Sequence, residues 1–225
     1  MVFMYNPPNQ SPYSSHGVVM PATIAPPEAK GLTSAIPSLP ILRLSVDQYH
    51  KMMRAGILRS GDPIELLEGW LVIKMSKNPP HVYANSRLHD LLSAMVPSGW
   101  FVNSQDPITT LESEPEPDAS VIRGDRRDYL GGHPLPRDVA MIGEVADSSL
   151  AYDRGIKKRI YARSAIPVYW IVNLEDRCIE VYTDPTGPAD EPDYRQRQIY
   201  DEKDWVPILL DGKEIGKLEV KALLP

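Results

Sequence analysis

The hydrophobic and polar positions divide the chain into stretches of different period. SVDQYHKMMRAGIL opens on Ser45, a good helix N-cap, and puts Val46, Tyr49, Met52 and Met53 on one side at helical spacing; Gly56 suits the C-cap. PIELLEGWLVIKMS reads as two short strands folded about Glu68-Gly69. PPHVYANSRLHDLLSAMV carries Val82, Leu88, Leu91, Leu92 and Met95 on an amphipathic helix that Pro97 and Gly99 stop. WFVNSQDPITTL predicts a strand pair, or one strand broken at Pro107, and PDASVI a short strand.

DVAMIGEVA is a near-continuous apolar run, as expected of a central strand covered on both faces. SLAYDRGIKKRIYARSA reads as a helix capped by Ser148 or Ser149. VYWIVNL and CIEVYT are two strands joined at Glu175-Asp176, with further strand signals around RQRQIY and in the last residues. The predicted fold class is therefore α/β (α+β), with a mixed β-sheet flanked by helices. The connection from DVAMIGEVA to VYWIVNL is long enough for a right-handed parallel crossover. Residues 1–38, rich in Pro, Ser and Ala and without period, predict an N-terminal tail; residues 39–225 predict a single domain.

Composition narrows the class. Of 225 residues, 42% are hydrophobic and 24% charged, which is globular. One cysteine, Cys178, excludes an internal disulfide and cysteine-rich zinc sites and suits a reducing compartment, so a cytoplasmic location is expected. No apolar run approaches the roughly 20 residues of a membrane helix, and the N-terminus lacks a secretory pattern. The net charge of −6 argues against a surface coated for phosphate binding but allows a local basic site. RGIKKRIYAR, with Arg154, Lys157, Lys158, Arg159 and Arg163, and the group Arg123, Arg126 and Arg127 predict such a zone.

Three residues stand out chemically. Glu144 lies inside the apolar DVAMIGEVA run; if Ala140, Ile142, Glu144 and Ala146 share a face, it is that face's one polar member, and a buried carboxylate needs a partner or a metal. It would instead be solvated if the strand ends there. Asp118 follows Pro117, which fixes an extended entry, and either sits at the rim of the sheet or is a turn aspartate of ESEPEPD. Asp153, Lys157 and Tyr161 are four apart on one helix face, and Asp153–Lys157 is otherwise an ordinary exposed ion pair. Two carboxylates at strand ends suit Mg²⁺ or Mn²⁺. A nearby lysine can orient or deprotonate a water, or offset phosphoryl charge. Together these are the equipment of phosphodiester hydrolysis. Among scattered histidines, His81 at a helix start is the one to follow; P-loop, dinucleotide and GxSxG signatures are absent.

The ordered series PIELLEGWLVIKMS, His81, PEPDASVI, IGEVADSSLAYDRGIKKRIYA and IPVYWIVNL resembles the Uma-type restriction endonuclease family of the PD-(D/E)XK nuclease superfamily over roughly residues 41–184. The resemblance implies a restriction-endonuclease-like fold, with Asp118 as the motif aspartate and Glu144 as the second acidic ligand. The superfamily's usual lysine position is Ala146 here; the family's lysine on the following helix matches Lys157, and Glu65 matches an additional N-terminal acid. It implies a Mg²⁺- or Mn²⁺-dependent endodeoxyribonuclease acting on DNA as a homodimer. Two alternatives are open: a non-catalytic nucleic-acid-binding or interaction module on the same fold, and a hydrolase of another phosphoester. Glu65 is otherwise a solvent-facing hairpin residue.

Overall fold

The structure is a computed structural model and describes residues 41–225. The tail expected over residues 1–38 lies outside the described residues. Helix α1 (Val46–Arg54) begins at Ser45, whose side chain accepts from the Gln48 amide while Gln48 bonds back to the Ser45 amide, a reciprocal capping box. Strands β1 (Ile64–Leu67) and β2 (Trp70–Ile73) form the expected hairpin. Its turn residues Glu68 and Gly69 both have positive φ, 48° and 80°, as a two-residue hairpin turn requires. Helix α2 (Pro79–Met95) is capped by Asn78.

The main sheet follows. Its strands are β3 (Trp100–Asn103), β4 (Ala119–Arg123), β5 (Val139–Ala146), β6 (Val168–Asn173), β7 (Cys178–Pro185) and β8 (Tyr194–Asp201), side by side in that order. Only β5 and β6 run parallel; the other neighbours are antiparallel. The expected crossover between β5 and β6 comprises α3 (Leu150–Tyr152), a π-helical turn (Asp153–Lys157) and α4 (Lys158–Arg163). Strands β9 (Trp205–Leu210) and β10 (Lys213–Glu219) make a separate hairpin.

Two apolar layers sandwich the sheet. On one face Ala84, Leu88 and Leu92 of α2 pack with Val206, Ile208 and Leu218 of the β9–β10 hairpin and with Met141 and Val145 of β5. On the other, Ile160, Tyr161 and Ala162 of α4 cover Ile142, Ala146, Tyr169 and Ile171. Every residue of β5 is buried, as its unbroken apolar sequence predicts. Helix α2 approaches β5 so closely that a Cβ on Gly143 would stand 2.9 Å from Leu88 Cδ2.

Three local expectations are corrected. WFVNSQDPITTL yields only β3: Gln105 takes a φ of 59°, Pro107 has no N–H to donate, and Thr110 and Ser113 close their own turn. In β5, Val121 of β4 pairs with Met141 but Ile122 pairs with Val139, leaving Ala140 as a bulge. Ala140 therefore packs on the α2 side, while Ile142 and Ala146 face α4. Finally, the helix expected over SLAYDRGIKKRIYARSA is continuous in position but π-wound at Asp153–Lys157.

Candidate active site

The site is built where β4 starts and β5 nears its end. Ala119 pairs with Gly143, so Asp118, one residue earlier, lies beside Glu144. The Asp118 amide donates to Glu144 Oε2 at 3.2 Å, and the Val145 amide donates to Asp118 Oδ2 at 2.9 Å. The sheet's own register thus brings both carboxylates together. From α2, His81 Nε2 lies 3.1 Å from Asp118 Oδ2. From the helical crossover, Lys157 Nζ donates to Glu65 Oε2 at 2.8 Å and lies 3.4 Å from Glu144 Oε1. Tyr161, one turn on, donates its hydroxyl to the same Glu144 oxygen at 2.5 Å. Asp153 accepts from Ser149 Oγ at 2.6 Å. Glu65 also accepts from the Glu116 amide at 3.2 Å.

All six candidates therefore surround one small open cleft. Asp118, Glu144, Lys157, Glu65 and Asp153 are each at most 6% exposed, and His81 is 9% exposed. The solvent-facing alternatives for Glu144, Lys157 and Glu65 do not describe this arrangement. Tyr152, Lys77 and Gln105 join them without a sequence signal: Tyr152 and Lys77 line the cleft, and Lys77 and Gln105 approach Asp118 Oδ1 at 3.7 and 3.4 Å.

Crowding governs protonation. Burial raises Asp118, but the His81 hydrogen bond and charge, the Val145 amide and Lys77 outweigh it and hold the carboxyl below its usual range. Burial lifts Glu144 to about 7 against the pull of Lys157, with Asp118 adding to the rise. Burial and then the Glu144 charge lift Asp153 to about 8. For Lys157, burial works against the ammonium, yet Glu144 and Glu65 prevail and raise its pKa. Its neighbours therefore favour the ammonium form of Lys157, which suits it to offsetting negative charge.

Among the described residues, no group of three or more His, Cys, Asp or Glu side chains is arranged to hold a metal ion. The donor chemistry nevertheless fits a hard divalent ion. Asp118 and Glu144 are adjacent, and Mg²⁺ is commonly held by one or two carboxylates with water completing its shell. Four buried acids stand against one buried lysine; burial first, and mutual repulsion after it, raises Glu144 and Asp153, and a divalent ion held there would favour their ionised forms.

The basic zone expected from RGIKKRIYAR is neutralised within the chain. Arg154 pairs with Glu180, Lys158 with Asp193 at 2.8 Å, and Arg159 with Glu68 at 2.6 Å. Arg163 reaches both Glu68 and Glu112. Arg123 pairs with Asp211, and Arg126 is spent on Asn103 and the Val102 carbonyl. Their acidic partners stand far away in sequence, so the stripe appeared free when read along the chain.

A mixed sheet with a buried carboxylate–lysine cleft at the ends of its central strands defines an α+β protein of nuclease-like fold. The chain belongs to the Uma2 family, described as "Putative restriction endonuclease", whose profile matches residues 46–215. Its structure is similar to that of a "putative nuclease belonging to DUF820" from Anabaena variabilis ATCC 29413. The TM-score is 0.60 at 16% identity, over 80% of this chain and 97% of that one, a likeness that shows the fold. No curated protein matches the chain. No helix among the described residues is long and apolar enough to cross a membrane.

Proposed function

We propose that this chain is a Mg²⁺- or Mn²⁺-dependent endodeoxyribonuclease that acts in the cytoplasm as a homodimer, one site for each strand of duplex DNA. The observation that carries the reading is the meeting of Asp118, Glu144 and Lys157 in one cleft, with Glu65 bridged to the lysine. Asp118 and Glu144 would hold the ion, which when bound neutralises charge on phosphoryl oxygens and makes a water more acidic. Lys157, kept as an ammonium, sets a positive charge where the phosphorane-like transition state gathers negative charge. Tyr161 and the Asp118 amide fix the Glu144 carboxylate, and His81 fixes that of Asp118. Purified protein should nick supercoiled DNA and cut linear DNA with Mn²⁺ or Mg²⁺, and EDTA should stop it. Cleavage that persists in Asp118→Ala or Glu144→Ala would refute the mechanism, and a monomer at working concentration by sedimentation would remove the dimer.

A second reading is a non-catalytic nucleic-acid-binding or interaction module. The intramolecular pairing of Arg154, Lys158, Arg159 and Arg163 favours it, because those cations are already spent. It predicts no cleavage with any divalent ion; binding that weakens with salt would support its nucleic-acid form.

A further inference from the structure

Tyr152 ends α3, directly before the π-helical turn that carries Asp153 and Lys157. Its ring packs against the apolar layer under α4. Its hydroxyl oxygen is buried and has no hydrogen-bond partner among the described residues, and Tyr152 is one of the residues around the cleft that holds Glu65, Glu144, Asp153 and Lys157. Buried phenols are usually paired, so an orphaned one at a cleft is a donor waiting for an acceptor that the chain does not supply. Burial and the charge of Glu65 raise its pKa, which keeps the proton on the oxygen and the group a donor. Two neighbouring cations are already engaged elsewhere: Arg154 is on Glu180 and Lys158 on Asp193. A neutral donor also adds a hydrogen bond to an anion in an acidic cleft without needing a counter-charge of its own.

We propose that Tyr152 is a substrate-binding residue whose hydroxyl donates a hydrogen bond to a non-bridging oxygen of the phosphodiester seated against Lys157. This rests on the nuclease reading above and adds to it a specific contact. Tyr152 and Lys157 come from one continuous helical segment and line the same cleft, so both are placed to address one phosphoryl group.

The test is Tyr152→Phe, which keeps the ring. Thermal melting, anisotropy of a fluorescent duplex oligonucleotide with Ca²⁺, and plasmid cleavage with Mn²⁺ are measured for variant and wild type. The expected result is an unchanged melting temperature with affinity and cleavage reduced about tenfold or more, as for loss of a hydrogen bond to a charged acceptor. A lowered melting temperature would mean the hydroxyl has a structural partner and overturns the proposal. Wild-type binding and cleavage unchanged in Tyr152→Phe overturn the proposal while leaving the nuclease reading intact. A wild type that binds without cleaving defeats the nuclease reading, and the affinity ratio then decides the Tyr152 contact alone. A wild type that neither binds nor cleaves overturns both.

Discussion

Replacing Lys157 by methionine removes the one buried cation among Glu65, Asp118, Glu144 and Asp153 while keeping an unbranched side chain of similar length. In the wild type its ammonium stands 2.8 Å from Glu65 and 3.4 Å from Glu144. At an effective dielectric of about 20, each contact is worth about 5 to 6 kcal/mol of gross attraction. Desolvation of the lysine offsets much of that, and breaking a buried pair by removing one partner typically costs about 3 to 5 kcal/mol. The cost depends on pH. Glu144 has its folded pKa raised from 4.5 to about 7, so its ionised form is penalised in the fold above about 7, and the penalty disappears once the group is protonated in both folded and unfolded chains. Removing Lys157 raises Glu144 further. Lys157 itself has a folded pKa above its unfolded value of 10.5, so its contribution is fully present throughout pH 5 to 8 in the wild type. Urea denaturation should therefore show Lys157→Met destabilised by about 4 kcal/mol at pH 8 and by clearly less at pH 5, as the stranded carboxylates take up protons. A loss below about 1 kcal/mol at pH 8, or one equal at both values, would refute the buried-cluster reasoning.

Away from the cleft, Glu180 is fully buried and is held by Arg154, Arg197 and Tyr182. Burial raises its pKa, but these partners prevail and bring it from 4.5 down to about 2. Its stabilisation is thus present above 4.5 and lost as pH falls towards 2; about 3 kcal/mol is the upper bound, reduced because both arginines are partly exposed. Wild type should lose stability over that interval by more than Glu180→Gln does; parallel losses would show that Glu180 is not the titrating group. Gly143→Ala should destabilise by about 1 to 3 kcal/mol in denaturant titration, because its Cβ overlaps Leu88, and Leu88→Ala should relieve that specific clash in the double variant. Strict additivity of the two substitutions would contradict the packing argument.

The sequence disclosed the site unevenly. Glu144 was legible because a carboxylate in an otherwise apolar strand needs a partner, and β5 proved buried throughout. Lys157 was legible from its spacing to Asp153 and Tyr161, which the structure turns inward together. Asp118 and Glu65 came forward only through the order of motifs, since PD and a hairpin glutamate have no local signature. What escaped depends on distant partners or on slips of a single residue. The bulge at Ala140 and the π turn each shift the winding by one position, below what an apolar period resolves. The basic helix looked free because Glu68 lies 91 residues from Arg159. Tyr152 carries no pattern at all; only its unmatched hydroxyl singles it out.

The central claim is that Asp118 and Glu144 form a divalent-ion centre beside Lys157. Calorimetric titration of the purified protein with Mn²⁺ tests it directly. One saturable site per chain is expected, with binding lost in Asp118→Ala and strongly weakened in Glu144→Gln. Absence of binding in the wild type, or equal binding in the Asp118→Ala protein, would contradict it.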